Sequence, residues 1–160
     1  MGKGQVKLSF GMIFSIILII FFISFAFYAI YKFLMVSDDI TVGKFVDGLQ
    51  SDINKLWKSS QGSQELEYSL PKKIEWVCFV DLLEPGRGTY SNRGFYEEFE
   101  RYPPERNLFF HPIDSAGLNS FEIEHIDFEG DNPLCFENVK GKVKITIEKN
   151  FGEALVSITT

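Results

Sequence analysis

Four side chains of this chain carry the sulfur and imidazole donors that zinc prefers: Cys78, His111, His125 and Cys135. A four-ligand zinc site is normally announced by close pairs such as C-x2-C or H-x3-H. Here neighbouring candidates stand about ten or more residues apart, and that spacing argues against zinc. No metal or cofactor is expected. In an oxidising compartment two cysteines in one small domain most simply form one disulfide, and the alternative is two buried free thiols. If Cys78 and Cys135 do pair, closing so long a loop stabilises the fold by about 4 kcal/mol in the chain-entropy model. Catalytic patterns are missing: the chain contains no Gly-rich phosphate loop, no G-x-S-x-G, no H-E-x-x-H and no C-x-x-C. With no nucleophile beside an identifiable base, the sequence reads as a non-enzyme.

The other chemistry is that of contact. Residues 84–107, EPGRGTYSNRGFYEEFERYPPERN, hold all four arginines of the chain, Arg87, Arg93, Arg101 and Arg106. Interleaved with them are Tyr90, Phe95, Tyr96, Phe99 and Tyr102. Arg and aromatic residues supply much of the binding energy at interfaces, through stacking and forked hydrogen bonds. The stretch therefore predicts a partner-binding loop, with a short helix over 94–102. The bland alternative is a solvated loop whose four Arg and five Glu pair with one another.

What must position these residues is set by the first third of the chain. Residues 10–31, FGMIFSIILIIFFISFAFYAIY, carry no charge, and as a helix they span roughly 33 Å, enough to cross a bilayer core. The run is longer than a cleavable signal core, so the helix is expected to remain. Lys3 and Lys7 precede it without an acid, while Asp38 and Asp39 follow soon after. The positive-inside rule then places the N-terminus in the cytoplasm and the C-terminal part outside. Of the 16 Lys and Arg, only Lys3, Lys7 and Lys32 precede residue 33, leaving 13 against all 22 acids in the outer part. That surplus of acid argues against nucleic acid and against tight binding to anionic lipid.

Beyond the span, Val42, Phe45, Val46, Leu49, Ile53, Leu56 and Trp57 recur at helical spacing, with Lys44, Asp47, Asp52, Lys55 and Lys58 between them. This predicts an amphipathic helix, either jointed at Ser37–Asp38–Asp39 or continuous with the span. After SSQGSQ the pattern turns to strands, with candidates at 74–83, Leu108–His111 and 121–128. His125, alternating with acids, is expected on a solvent face. A terminal hairpin follows, with Val143, Ile145, Ile147, Ala154, Val156 and Ile158 on its core side and KNFGE as its turn. The fold class is therefore α+β: a single N-terminal transmembrane helix, an amphipathic helix, then a small, mostly antiparallel sheet domain. The divisions fall at 1–9 for a basic tail, 10–31 for the membrane helix, 32–61 for the stalk and 62–160 for the β-rich head.

Lys3-Gly4-Gln5 immediately before a long apolar helix resembles the class III signal of archaeal type IV pilin-like proteins. The resemblance covers residues 3–60 by pattern and the head by general shape. It implies that a prepilin peptidase cuts between Gly4 and Gln5, and that the mature subunit assembles with copies of itself or with related subunits at the cell surface. In such an assembly Gly11 and Ser15 form a small-xxx-small pair, and Phe14, Leu18, Phe21, Phe25 and Tyr28 make a stripe for neighbours. The same stripe also suits plain contact with membrane lipid. The other open reading is an unprocessed signal anchor that tethers an outer binding module, with MGKGQVK as its cytoplasmic tail.

Overall fold

The computed structural model describes residues 10–115 and 117–159. The proposed processing pair, Gly4 and Gln5, lies outside the described residues. One helix, α1, runs over Phe10–Trp57 with no break at Ser37–Asp39 or at Gly43 and Gly48. By its contacts the chain falls into two units, one ending at Ser37 and the other beginning at Asp38. In the first unit every described side chain is exposed. By length and composition that part of α1 is able to cross a membrane.

The second unit is a head with eight strands in two sheets among the described residues. In chain order they are β1 (Gly62–Ser69), β2 (Trp76–Phe79), β3 (Leu108–His111), β4 (Ser120–Phe121), β5 (Ile126–Asp127), β6 (Leu134–Glu137), β7 (Lys142–Lys149) and β8 (Val156–Thr159). One sheet has the order β1-β7-β8-β5 and the other β4-β3-β2-β6. Every pairing is antiparallel except β5 with β8, so the α+β, mostly antiparallel expectation describes the head.

Both sheets contribute to one core together with the amphipathic half of α1. Val42, Phe45, Leu49, Ile53 and Leu56 bury their side chains there, and Val46 and Trp57 pack at its border. From the sheets come Val77, Phe79, Leu108, Phe110, Leu134, Phe136, Val143, Ile145, Ile147, Val156 and Ile158. Each such side chain withdrawn from water contributes about 1.5–3 kcal/mol toward folding. Because side chains alternate along a strand, Cys78, Phe109 and Cys135 project from the opposite face of the second sheet. That face has its own buried cluster, roofed by Phe95 and Phe99 of a short helix, α2 (Phe95–Phe99). A sheet apolar on both faces requires a cover on both, and α2 supplies the second one.

Several expectations need correction. The strand predicted at 74–83 is confined to Trp76–Phe79. The one predicted at 121–128 is two short strands, β4 and β5, with His125 between them at φ 64, a left-handed conformation that no strand contains. Neither β1 nor β6 was expected. Val143, Ile145, Ile147, Val156 and Ile158 are buried as predicted, but Ala154 is exposed. The hairpin loop extends to Leu155, and the Ala154 carbonyl accepts a hydrogen bond from the Trp57 indole at 2.9 Å.

Candidate contact surfaces

Among the described residues, the apolar half of α1 buries none of its side chains within its own unit. Phe14, Leu18, Phe21, Phe25 and Tyr28 are all exposed. Two of its hydroxyls are closed off internally: Ser15 donates to the Gly11 carbonyl and Ser24 to the Ile20 carbonyl, each at 2.8 Å. Back-bonding of this kind removes the hydroxyls' need for water. From Phe10 to Phe27 the surface that remains is apolar all round, which suits lipid or the flanks of other helices.

The Arg- and Tyr-rich stretch is a cover before it is a contact surface. Phe95 and Phe99 are buried, Phe99 stacking on Phe109 with ring centroids 4.6 Å apart, and neither is available to a partner. Tyr90 lies 5.1 Å from the Trp76 ring and Tyr102 meets Phe109 edge-on at 5.3 Å. Tyr96 donates its hydroxyl to the Glu84 carbonyl at 2.7 Å. Desolvation first, then the charges of Glu100, Asp81 and Glu84, raise its phenol above the usual range. Arg87 is a tie within the head, its Nε donating to the Gly130 carbonyl at 2.7 Å. Arg93 sits 5.5 Å above the Tyr90 ring. Among the described residues Arg101 and Arg106 make no ion pair or side-chain hydrogen bond, and both are exposed. The contact set of the sequence reading thus shrinks to Arg93, Arg101, Arg106 and the exposed edges of Tyr96 and Tyr102.

Beneath the cover, Cys78 and Cys135 are joined in a disulfide between directly opposed positions of β2 and β6. A buried node that the sequence reading missed holds the cover's entry. Asn132 accepts from the Asp81 amide at 2.9 Å and donates to the Asp81 carbonyl at 2.8 Å, and its Nδ2 also reaches the Glu84 and Pro85 carbonyls. Next to it Gly88, at φ 88, lies so close to Asp131 that a Cβ would sit 2.1 Å from Oδ1. Only glycine fits there. The one signal for it in the sequence is the turn-forming run Gly130-Asp131-Asn132-Pro133.

Both histidines are half-buried and stacked. His111 lies 3.8 Å from the Phe95 ring, with Nδ1 3.1 Å from Glu98 Oε2. His125 is not on a solvent face as its alternation with acids suggested. Its ring stacks on Trp57 at 3.7 Å, and Nδ1 stands 3.2 Å from Asn54 Oδ1. An open cavity of about 560 Å³ beside His111 is lined by Glu98, Arg101, Tyr102, Pro112, Ile113 and Asp114.

With these surfaces in view, comparison with known proteins adds no relative. No family model, curated protein or solved structure matches the chain.

Proposed function

We propose that the chain is a single-pass, membrane-anchored structural subunit of a pilin-like, cell-surface assembly. Its N-terminus lies in the cytoplasm and its head outside. The observation that carries this reading is the asymmetry of α1: a fully exposed half, uncharged from Phe10 to Tyr31, in the same helix as a half whose apolar stripe is buried in the head. Helices of the first kind gain little hydrophobic energy from one another in lipid, so they associate through close packing, and the Gly11, Ser15 and Phe14-to-Tyr28 surface offers small residues and interlocking ridges. The disulfide supports an oxidising, extracytoplasmic place for the head. Membrane lipid and further copies or related subunits are then its partners, and the head has no role for nucleic acid or a cofactor.

Intact-mass measurement of the protein from its native membrane tests the processing step. The expected result is loss of residues 1–4, and a retained Met1 or Gly2 terminus counts against it. Assembly is tested separately by Phe21→Cys cross-linking in native membranes, where covalent dimers across the apolar helix are expected. If the terminus is retained and no cross-link forms, the tethered binding module becomes the better reading. That second reading is favoured by Arg101 and Arg106, which are exposed and unpaired among the described residues.

A further inference from the structure

Each sheet has two edges, and the four edge strands differ in length. β4 and β5 have 2 residues each and β6 has 4, whereas β1 has 8. The pairing of β1 with β7 is unbroken from Gly62↔Lys149 to Ser69↔Lys142, with no bulge and no proline. Just past its end the Leu70 amide donates to the Gly141 carbonyl at 3.0 Å. In an antiparallel ladder the residues that bond to one neighbour alternate with those that point away. Even-numbered residues of β1 therefore face β7, and Ser63, Glu65, Glu67 and Ser69 direct their N–H and C=O groups at the open edge. All four are exposed, and none has another backbone partner among the described residues.

An edge of this length is ordinarily blunted by charged side chains, proline, a bulge or a covering loop. Of these β1 carries only charge, and of one sign, from Glu65 and Glu67, which deters acidic strands and favours basic ones. Lys144 approaches Glu65 Oε1 at 3.0 Å and Lys142 approaches Glu67 Oε1 at 3.2 Å, both from the β7 side. The Oε2 atom of each carboxylate has no partner among the described residues, so a second cation is able to approach from the edge side. A second copy's β1 is a poor occupant, because antiparallel pairing sets carboxylate against carboxylate.

We propose that the β1 edge is a binding site for an extended, basic segment of another protein. The segment adds as a strand, with Lys or Arg opposite Glu65 and Glu67 and small or β-branched residues on the side of Leu66 and Tyr68. Four outward residues give four sets of backbone groups to pair, over a reach of roughly 20 Å. The inference is independent of whether the chain polymerises through α1.

The test uses the full chain in detergent micelles and a synthetic peptide copying Lys142–Lys149, KVKITIEK, which is the pattern β1 already accepts on its other side. Binding is followed by fluorescence anisotropy of the labelled peptide. Glu65→Pro removes an outward N–H while sparing the ladder to β7, so it is expected to abolish binding and leave the near-ultraviolet circular dichroism unchanged. Should that variant fail to fold, E65K/E67K serves instead, with an expected loss of about tenfold and a gain of binding by an acidic counterpart, EVEITIEE. No binding of KVKITIEK to the folded wild type at millimolar peptide overturns the proposal. So does binding that survives these variants, or equal binding by a peptide copying Gly62–Ser69.

Discussion

Between Phe10 and Ser37, α1 carries a single charge, Lys32, and buries nothing; from Asp38 to Trp57 it alternates Lys44, Asp47, Asp52 and Lys55 with a stripe that is buried in the head. Both halves have helical backbone, and what separates them is where the apolar surface goes. A stripe of limited width closes against the head's own sheets, so its energy is spent within the chain. A surface apolar on all sides exceeds anything one small domain could cover, and it needs a second phase or other molecules. Folding is the task of the second half, whereas the first is long and apolar enough to cross a membrane.

The most direct way to break this comparison is to truncate one ring in each half. Phe45 is buried and packs edge-on against Phe110 and Tyr68, at 5.8 and 5.3 Å between ring centroids. Phe45→Ala is expected to cost the head about 3–5 kcal/mol, from lost transfer energy and an unfilled cavity. Phe21→Ala, in the exposed half, is expected to leave the head's unfolding within about 0.5 kcal/mol of the wild type. Denaturant unfolding in micelles, followed by near-ultraviolet circular dichroism, reads both. Equal losses would mean that the apolar half contributes to the fold of the head.

A smaller effect sharpens the same division from the far side of the second sheet. Replacing both cysteines, C78A/C135A, is expected to lower the head's stability by about 2–4 kcal/mol, because the unfolded chain regains the entropy of a long loop. Retention of the chain by micelles or membranes, a property of the exposed half of α1, is expected to stay unchanged. A variant that left the membrane fraction would contradict the assignment of anchoring to that half.

These divisions were only partly legible in the chain. The buried stripe of α1 was readable because seven apolar residues kept helical spacing against charged neighbours. Leu108–His111 was readable because both of its faces are buried over Leu108–Phe110, which leaves an uninterrupted apolar run after Asn107. β1 was not, since as an edge strand it turns only Leu66 and Tyr68 toward the core and otherwise reads as a polar linker. The roof was misread for the opposite reason. Phe95 and Phe99 stand four apart among arginines and tyrosines, a pattern that serves an interface and a core equally well. The deciding fact, a sheet whose second face needs covering, exists only once β2, β3 and β6 are paired. His125 obeyed the alternation of a strand, yet its left-handed backbone and its stacking on Trp57 depend on contacts across the whole head.

The smallest predicted effect tests how the head half of α1 is tied to β1. Tyr68 donates its hydroxyl to Asp52 Oδ2 at 2.9 Å, while Lys55 approaches the other oxygen of that carboxylate at 2.7 Å. Desolvation, followed by the hydrogen bond to Asp52 and its charge, pushes the phenol's pKa far above its ordinary range. Below about pH 10 the phenol is neutral in the folded and unfolded chain alike, and the stabilising contact is intact. Above that pH the unfolded chain ionises while the folded one does not, so stability falls as pH rises. Tyr68→Phe is expected to cost about 1 kcal/mol at neutral pH through the lost hydrogen bond. It is also expected to flatten the alkaline decline without abolishing it, since Tyr96 is raised in the same direction. Denaturant midpoints measured from neutral pH to about pH 11 decide the matter, because an unaltered alkaline slope in the variant would place the titrating group elsewhere in the head.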